Sequence, residues 1–192
     1  MESLEVWCPS DCTIRRMEEF FGCYNGVRIR SAVPYYDAEV KDGGYAYMAL
    51  REIPDRNLGW FEQACEELKI PYKVSGQQLE YEDYKEVMAN CRLLVVPYYE
   101  LSTGGLSMME AHYLGKPILT SDSPYNGGRD YIEDRAIYFR HHIFSDLKRR
   151  LNIMFNNPPK PRKDHKEYVI KNFSEKVMGR QMMERLIQLS RR

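Results

Sequence analysis

Short apolar runs alternate along the chain with longer segments in which apolar residues recur at helical spacing. Leu4 to Cys8 and Val27 to Ser31 read as strands around a helix over residues 11 to 21. A further strand begins at Tyr45, and Arg92 to Pro97 is a short apolar run that suits a buried parallel strand. Trp60, Phe61, Ala64, Cys65 and Leu68 share one helical face, and Tyr84, Val87, Met88 and Cys91 share another. Both faces are expected to be core. Residues 34 to 44, with Pro34, two Asp and Gly43-Gly44, read as a linker. Alternating strands and helices predict an α/β domain, a Rossmann-like parallel sheet with helices on both faces in three layers. The last helix carries Val177, Met178, Met182, Leu186 and Leu189 on one side, a stripe that needs a protein surface to cover it.

A chain of 192 residues can bury roughly 70% of its unfolded surface in one domain, and 43% hydrophobic content supplies the core without staples. Five cysteines, Cys8, Cys12, Cys23, Cys65 and Cys91, form an odd set without CxxC spacing, so neither a disulfide framework nor a zinc knuckle is indicated. Nowhere do 18 apolar residues run together, and the amino terminus lacks the pattern of a secretory signal. A reducing cytoplasm is the expected location. Net charge is zero, yet residues 141 to 192 hold 13 Lys and Arg against 5 Asp and Glu, a surplus of +8 balanced by the first 140 residues. Such an end suits peripheral contact with anionic lipid headgroups or, less well, nucleic acid. The apolar stripe favours packing against protein instead.

The segment PYYELSTGGLSMMEAHYLGKPILTS, residues 97 to 121, holds the densest chemistry. Gly104-Gly105 lets the backbone turn from the strand into a helix beginning near Leu106, whose first amides and positive dipole end form an anion site. Glu110 follows one turn later, where a carboxylate can accept hydrogen bonds from hydroxyls carried by a phosphate-bearing ligand, such as a ribose or sugar. Arg51 and Arg56 lie in the loop between a strand and a helix, at the strand's carboxyl end, where open α/β sheets bind ligands. A lone loop arginine is ordinarily a solvated charge. Two of them with a double-glycine helix start and Glu110 point to a bound phosphate, each charge-assisted bond contributing about 1.5 to 3 kcal/mol.

On these residues the chain, from about residue 4 to residue 190, resembles the carboxyl-terminal, donor-binding half of a GT-B glycosyltransferase, most closely the retaining family 4 enzymes. Arg51 and Arg56 match an Arg, four residues, then Lys pattern, with Arg in the Lys place. Gly105, Leu106, Glu110 and Ala111 match the end of a Glu, seven residues, Glu pattern, and Gly115 and Pro117 also match. The first glutamate of that pattern would fall at Ser102, and Glu100 lies two residues earlier. Either Glu100 substitutes for it or that contact with the donor sugar is absent. The resemblance implies that residues 1–36 are the last strand-helix-strand of the amino-terminal half plus the start of the linker. Residues 37–192 would then form the nucleotide-sugar-binding domain, with a final helix crossing back over residues 1 to 32.

The resemblance further implies that Arg51, Arg56 and Glu110 serve catalysis, the arginines and the Gly104 and Gly105 amides holding the diphosphate and Glu110 the ribose. Glu100, Ser102, Thr103, Leu106, Ser107 and Gly76 would line the substrate site, with Ser75 to Gln78 near the base. No metal or cofactor is implied; the nucleotide sugar is the donor substrate. Either the chain is a fragment of a longer enzyme, or a partner chain or self-association would supply the acceptor side. Two alternatives are a non-catalytic nucleotide-sugar-binding or regulatory module, which Ser102 suggests, and a nucleotide-sugar epimerase. Neither a Walker lysine motif nor GxGxxG is present, and an Asp-X-Asp metal motif is absent too. His112, His141, His142 and His165 form no triad spacing and are expected to be structural.

Overall fold

The computed structural model describes residues 5–49, 57–75, 79–98 and 105–191. Five parallel strands form the main sheet: β3 (Ala46–Ala49), β4 (Tyr72–Ser75), β5 (Leu93–Val96), β6 (Ile118–Ser121) and β7 (Ile137–Phe139), in the order β4-β3-β5-β6-β7. A separate two-stranded parallel sheet pairs β1 (Val6–Cys8) with β2 (Gly26–Arg28) around α1 (Asp11–Phe21). Both strands are shorter than the sequence pattern predicts. Leu4 lies outside the described residues, and the chain leaves the ladder after Arg28.

Strand side chains sort by the period of two. Tyr47, Leu94, Val96 and Ile118 point into one core with residues of α3 (Tyr81–Asn90), α4 (Leu106–Tyr113), α5 (Arg129–Ile132) and α7 (His165–Phe173). Ala46, Met48, Leu93, Val95, Leu119 and Phe139 face the other core, closed by α2 (Leu58–Leu68) and α6 (Phe144–Asn156). Helices therefore cover both faces, as the alternating pattern predicts. Phe61, Ala64 and Cys65 of α2 are buried, and Trp60 meets Phe144 edge to face at 5.6 Å between ring centroids. Cys91 is buried too, but it caps α3 in extended conformation instead of lying within it.

After β3 the chain adds β4 on one side and then jumps to β5 on the other. This reversal makes the carboxyl ends of β3 and β5 a topological switch point, the place where ligands bind in open α/β sheets. The final helix, α8 (Glu175–Ser190), crosses back to the β1–β2 unit. Its Gln181 Oε1 accepts from Arg30 N at 3.1 Å, and Arg185 forms a forked ion pair with Glu5. The apolar stripe is only partly covered, because Leu186 is 48% exposed. Asp130 Oδ2 accepts from Cys12 N and the Tyr131 hydroxyl donates to Pro9 O, tying α1 to the main domain from below.

Candidate functional site

At the carboxyl end of β5 the chain rises into α4, and the residues of this helix explain why it runs through the protein interior. Leu, Met, Glu and Ala are strong helix formers, and Met108 to Tyr113 are all buried, so α4 is covered on every side. It stops where Gly115 adopts a left-handed conformation (φ 71°) ahead of Pro117. At its start Gly105 provides no side-chain cap, so the first amides receive none from their own N-cap residue. A Cβ on Gly105 would stand 2.9 Å from Gly128 Cα, so this close approach of the two backbones requires glycine at position 105.

That close approach is held by a polar lattice under the loop after β6. Asn126 Nδ2 donates to Thr120 Oγ1 (3.0 Å) and Ser121 O (2.9 Å), while its Oδ1 accepts from Gly128 N (3.1 Å). Thr120 Oγ1 donates to Val96 O and Ser121 Oγ to Tyr98 O, at 2.8 and 2.9 Å, lashing β6 to the end of β5. Every member of this group is buried and bonded, which makes it stiff. The motif-based reading did not single out Asn126, Thr120 or Gly128. Only the Gly127-Gly128 pair offered a signal, and it reads simply as a turn.

Glu110 lies one turn inside α4 and is 6% exposed. The phenol of Tyr84, on α3, donates to its Oε2. The sequence pattern places Tyr84 on an apolar core face, and its ring packs against that core; its hydroxyl carries in addition a specific bond to the predicted site carboxylate. Tyr84 lies near-parallel to Tyr81 (6.3 Å, 16°) and tilted against Tyr47 (6.5 Å, 58°), and Tyr36 meets Tyr81 edge to face. Burial, and then the Glu110 carboxylate, push the phenols of Tyr36 and Tyr84 well above the usual tyrosine range and raise that of Tyr81 too. Burial raises Tyr47 as well, with Ser75 near enough to offset a little without reaching hydrogen-bond geometry. Four tyrosines thus surround one carboxylate and stay protonated at neutral pH.

Of the predicted site residues, Gly105, Leu106, Ser107 and Glu110 come together on the first turns of α4. Arg51, Arg56, Gly76, Glu100, Ser102, Thr103 and Gly104 lie outside the described residues. The described residues on either side of Arg51 and Arg56 are Ala49, which ends β3, and Asn57, which caps α2. His112 is buried, with Nε2 3.4 Å from Arg135 Nη1 and its ring edge-on to Tyr168, a structural role between α4 and α7. A polar groove of about 420 Å³ between residues 36–41 and α3 is lined by Lys41, Glu86 and Asn90 among others. It runs along α3 from Glu82 and Asp83 to Asn90. Among the described residues no group of three or more His, Cys, Asp and Glu is placed to hold a metal, and no helix is long and apolar enough to cross a membrane.

Residues 60–172 match the sequence profile of the family described as glycosyl transferases group 1. The chain belongs to this family. Its parallel, doubly covered sheet is that of GT-B glycosyltransferases, and solved members share it. TarM from S. aureus superposes with a TM-score of 0.74 at 16% identity, covering 94% of this chain and 43% of TarM. HepE from Anabaena, solved with UDP and glucose, gives 0.77 at 13% identity, covering 96% of this chain and 63% of HepE. Sucrose-phosphate synthase from Thermosynechococcus elongatus gives 0.76 at 14%, covering 96% and 58%. The chain therefore spans about two fifths to two thirds of these proteins. No curated protein sequence matches it significantly.

Proposed function

We propose that this glycosyltransferase-family chain is a donor-binding domain that holds a nucleoside diphosphate sugar and takes part in transferring the sugar to an acceptor with retention. The observation that carries this reading is the position of α4: an uncapped, glycine-started helix at the switch point, with Glu110 buried one turn inside. Free amides at such a helix start favour phosphate, and a carboxylate a turn away accepts from a ring diol. Arg51 and Arg56, which follow β3 in the sequence, are assigned to the diphosphate. There they would stabilise the charge that develops on it as the glycosidic bond breaks. Glu100, Ser102 and Thr103 are assigned to the donor sugar. The UDP held by HepE and by the pneumococcal transferase GtfA makes a uridine diphosphate sugar the first donor to try. The reading routes no step through a metal.

Isothermal titration with uridine, guanosine and adenosine diphosphate sugars tests it, and no heat from any of them removes the reading. Arg51→Ala and Glu110→Ala should each weaken binding by about ten- to hundredfold without unfolding the chain. Unchanged affinity in both would contradict the site. A second reading, a binding module without turnover, is favoured by Ser102 standing where the family pattern has glutamate. Equal affinity for the bare diphosphate and the sugar nucleotide would support it. The acceptor side would come from further residues of a longer chain, from a partner chain or from a second copy, since positioning of two reactants supplies about 7 to 11 kcal/mol of barrier lowering. A reducing cytoplasm suits five free cysteines, and the basic end is the surface assigned to any contact with anionic membrane.

A further inference from the structure

Glu110 is an almost fully covered carboxylate on a flexible side chain, and burial leaves it dependent on the donors that surround it. One of those donors arrives from a different helix. The Tyr84 phenol reaches from α3 across 26 residues of sequence to Glu110 Oε2. Its ring is a rigid strut, packed between Tyr81 on its own helix and Tyr47 on β3, so the hydroxyl has little freedom of its own. A glutamate has three rotatable torsions, and a fixed donor selects among its rotamers before any ligand arrives. A carboxylate has about four lone-pair sites, so a single carboxylate can accept from a phenol and from a diol together.

We propose that Tyr84 is the positioning residue for Glu110, its phenol fixing the carboxylate orientation that grips the ribose hydroxyls of a nucleoside diphosphate. This rests on the assignment of Glu110 to the ribose given above. It predicts a dependence on ribose chemistry that a merely structural tyrosine would not produce.

Titration of the full chain with uridine diphosphate and with its 2′,3′-dideoxy analogue separates the cases. The unsubstituted chain should prefer the ribose form. Tyr84→Phe, which keeps the ring and its stacking, should lose about tenfold in affinity for uridine diphosphate while its affinity for the dideoxy form stays level. Glu110→Gln should abolish the preference, and adding Tyr84→Phe to it should change nothing more. If Tyr84→Phe melts far below the parent, Tyr84→His, which restores a ring donor, should recover part of the preference. Tyr84→Phe retaining the parent's ratio, or binding uridine diphosphate more tightly, overturns this inference and leaves the donor-binding reading standing. A parent chain that binds neither compound overturns both.

Discussion

His112, two residues beyond Glu110 on the same helix, shows how burial decides what a histidine can do. Burial first, and then the Arg135 guanidinium, hold its value down to about 4, so the ring is neutral at pH 7. Arginine only donates, so Nε2 accepts and the proton sits on Nδ1. In the unfolded chain the value returns to about 6.5, so between these two pH values the unfolded state binds the proton more readily. Stability should therefore fall as pH drops from about 6.5 to about 4, by up to about 3 kcal/mol from this residue. Asp146 adds no loss in that window. Burial raises it, but bonds from Arg140 N, Arg149 and Arg150 more than offset the rise and hold it below the carboxylate range. Thermal melts at pH 7 and 4.5 should show His112→Gln losing less melting temperature than the parent, and equal losses would contradict the assignment.

At the scale of elements, the first turn of α4 and the loop after β6 form one unit because their glycines touch. A methyl group on Gly105 would meet the Gly128 backbone, which has no side chain to swing away, so Gly105→Ala should cost about 1 to 3 kcal/mol. At Gly128 the nearest obstacle is the end of the Met108 side chain, which can move in part. Chemical denaturation of Gly105→Ala, read beside nucleotide titration, should show stability and affinity falling together, since the same shift displaces the helix start. The start of α4 after Gly105 and the place of Glu110 within it could be read from sequence because their signals lie within a few residues of one another. The strand periods were equally legible, and the two cores sort as that alternation demands. The Tyr84 bond to Glu110 and the Gly105–Gly128 contact were not, because each joins residues more than 20 positions apart and depends on how helices pack. The end of β2 at Arg28 was also misjudged, since apolar Ile29 continues the pattern beyond the last paired residue of the strand, whereas the end of β1 at Cys8 falls where the pattern puts it.

Across the whole molecule, the acidic first part and the basic last part are stitched together by ion pairs. Lys148 meets Glu67, Arg162 meets Asp134 and Arg185 meets Glu5, so part of the +8 surplus of residues 141 to 192 is already answered within the chain. That pairing lowers the charge left over to attract lipid headgroups. The Arg185 pair has the largest structural consequence, because a two-stranded parallel sheet has little stability by itself and β1–β2 must lean on its surroundings. Two supports hold it: Asp130 and Tyr131 beneath α1, and α8 above through Gln181, Met178 and Arg185. Arg185→Glu would set two carboxylates against each other where Glu5 now has its partner, while leaving α8 free of any change in helix propensity. Amide hydrogen exchange should then quicken at residues 6–8 and 26–28, with β5 and β6 keeping the protection of the parent. Uniform acceleration across both sheets would instead show that the small sheet and the main domain open as one cooperative body, with α8 serving the whole and not the amino-terminal unit.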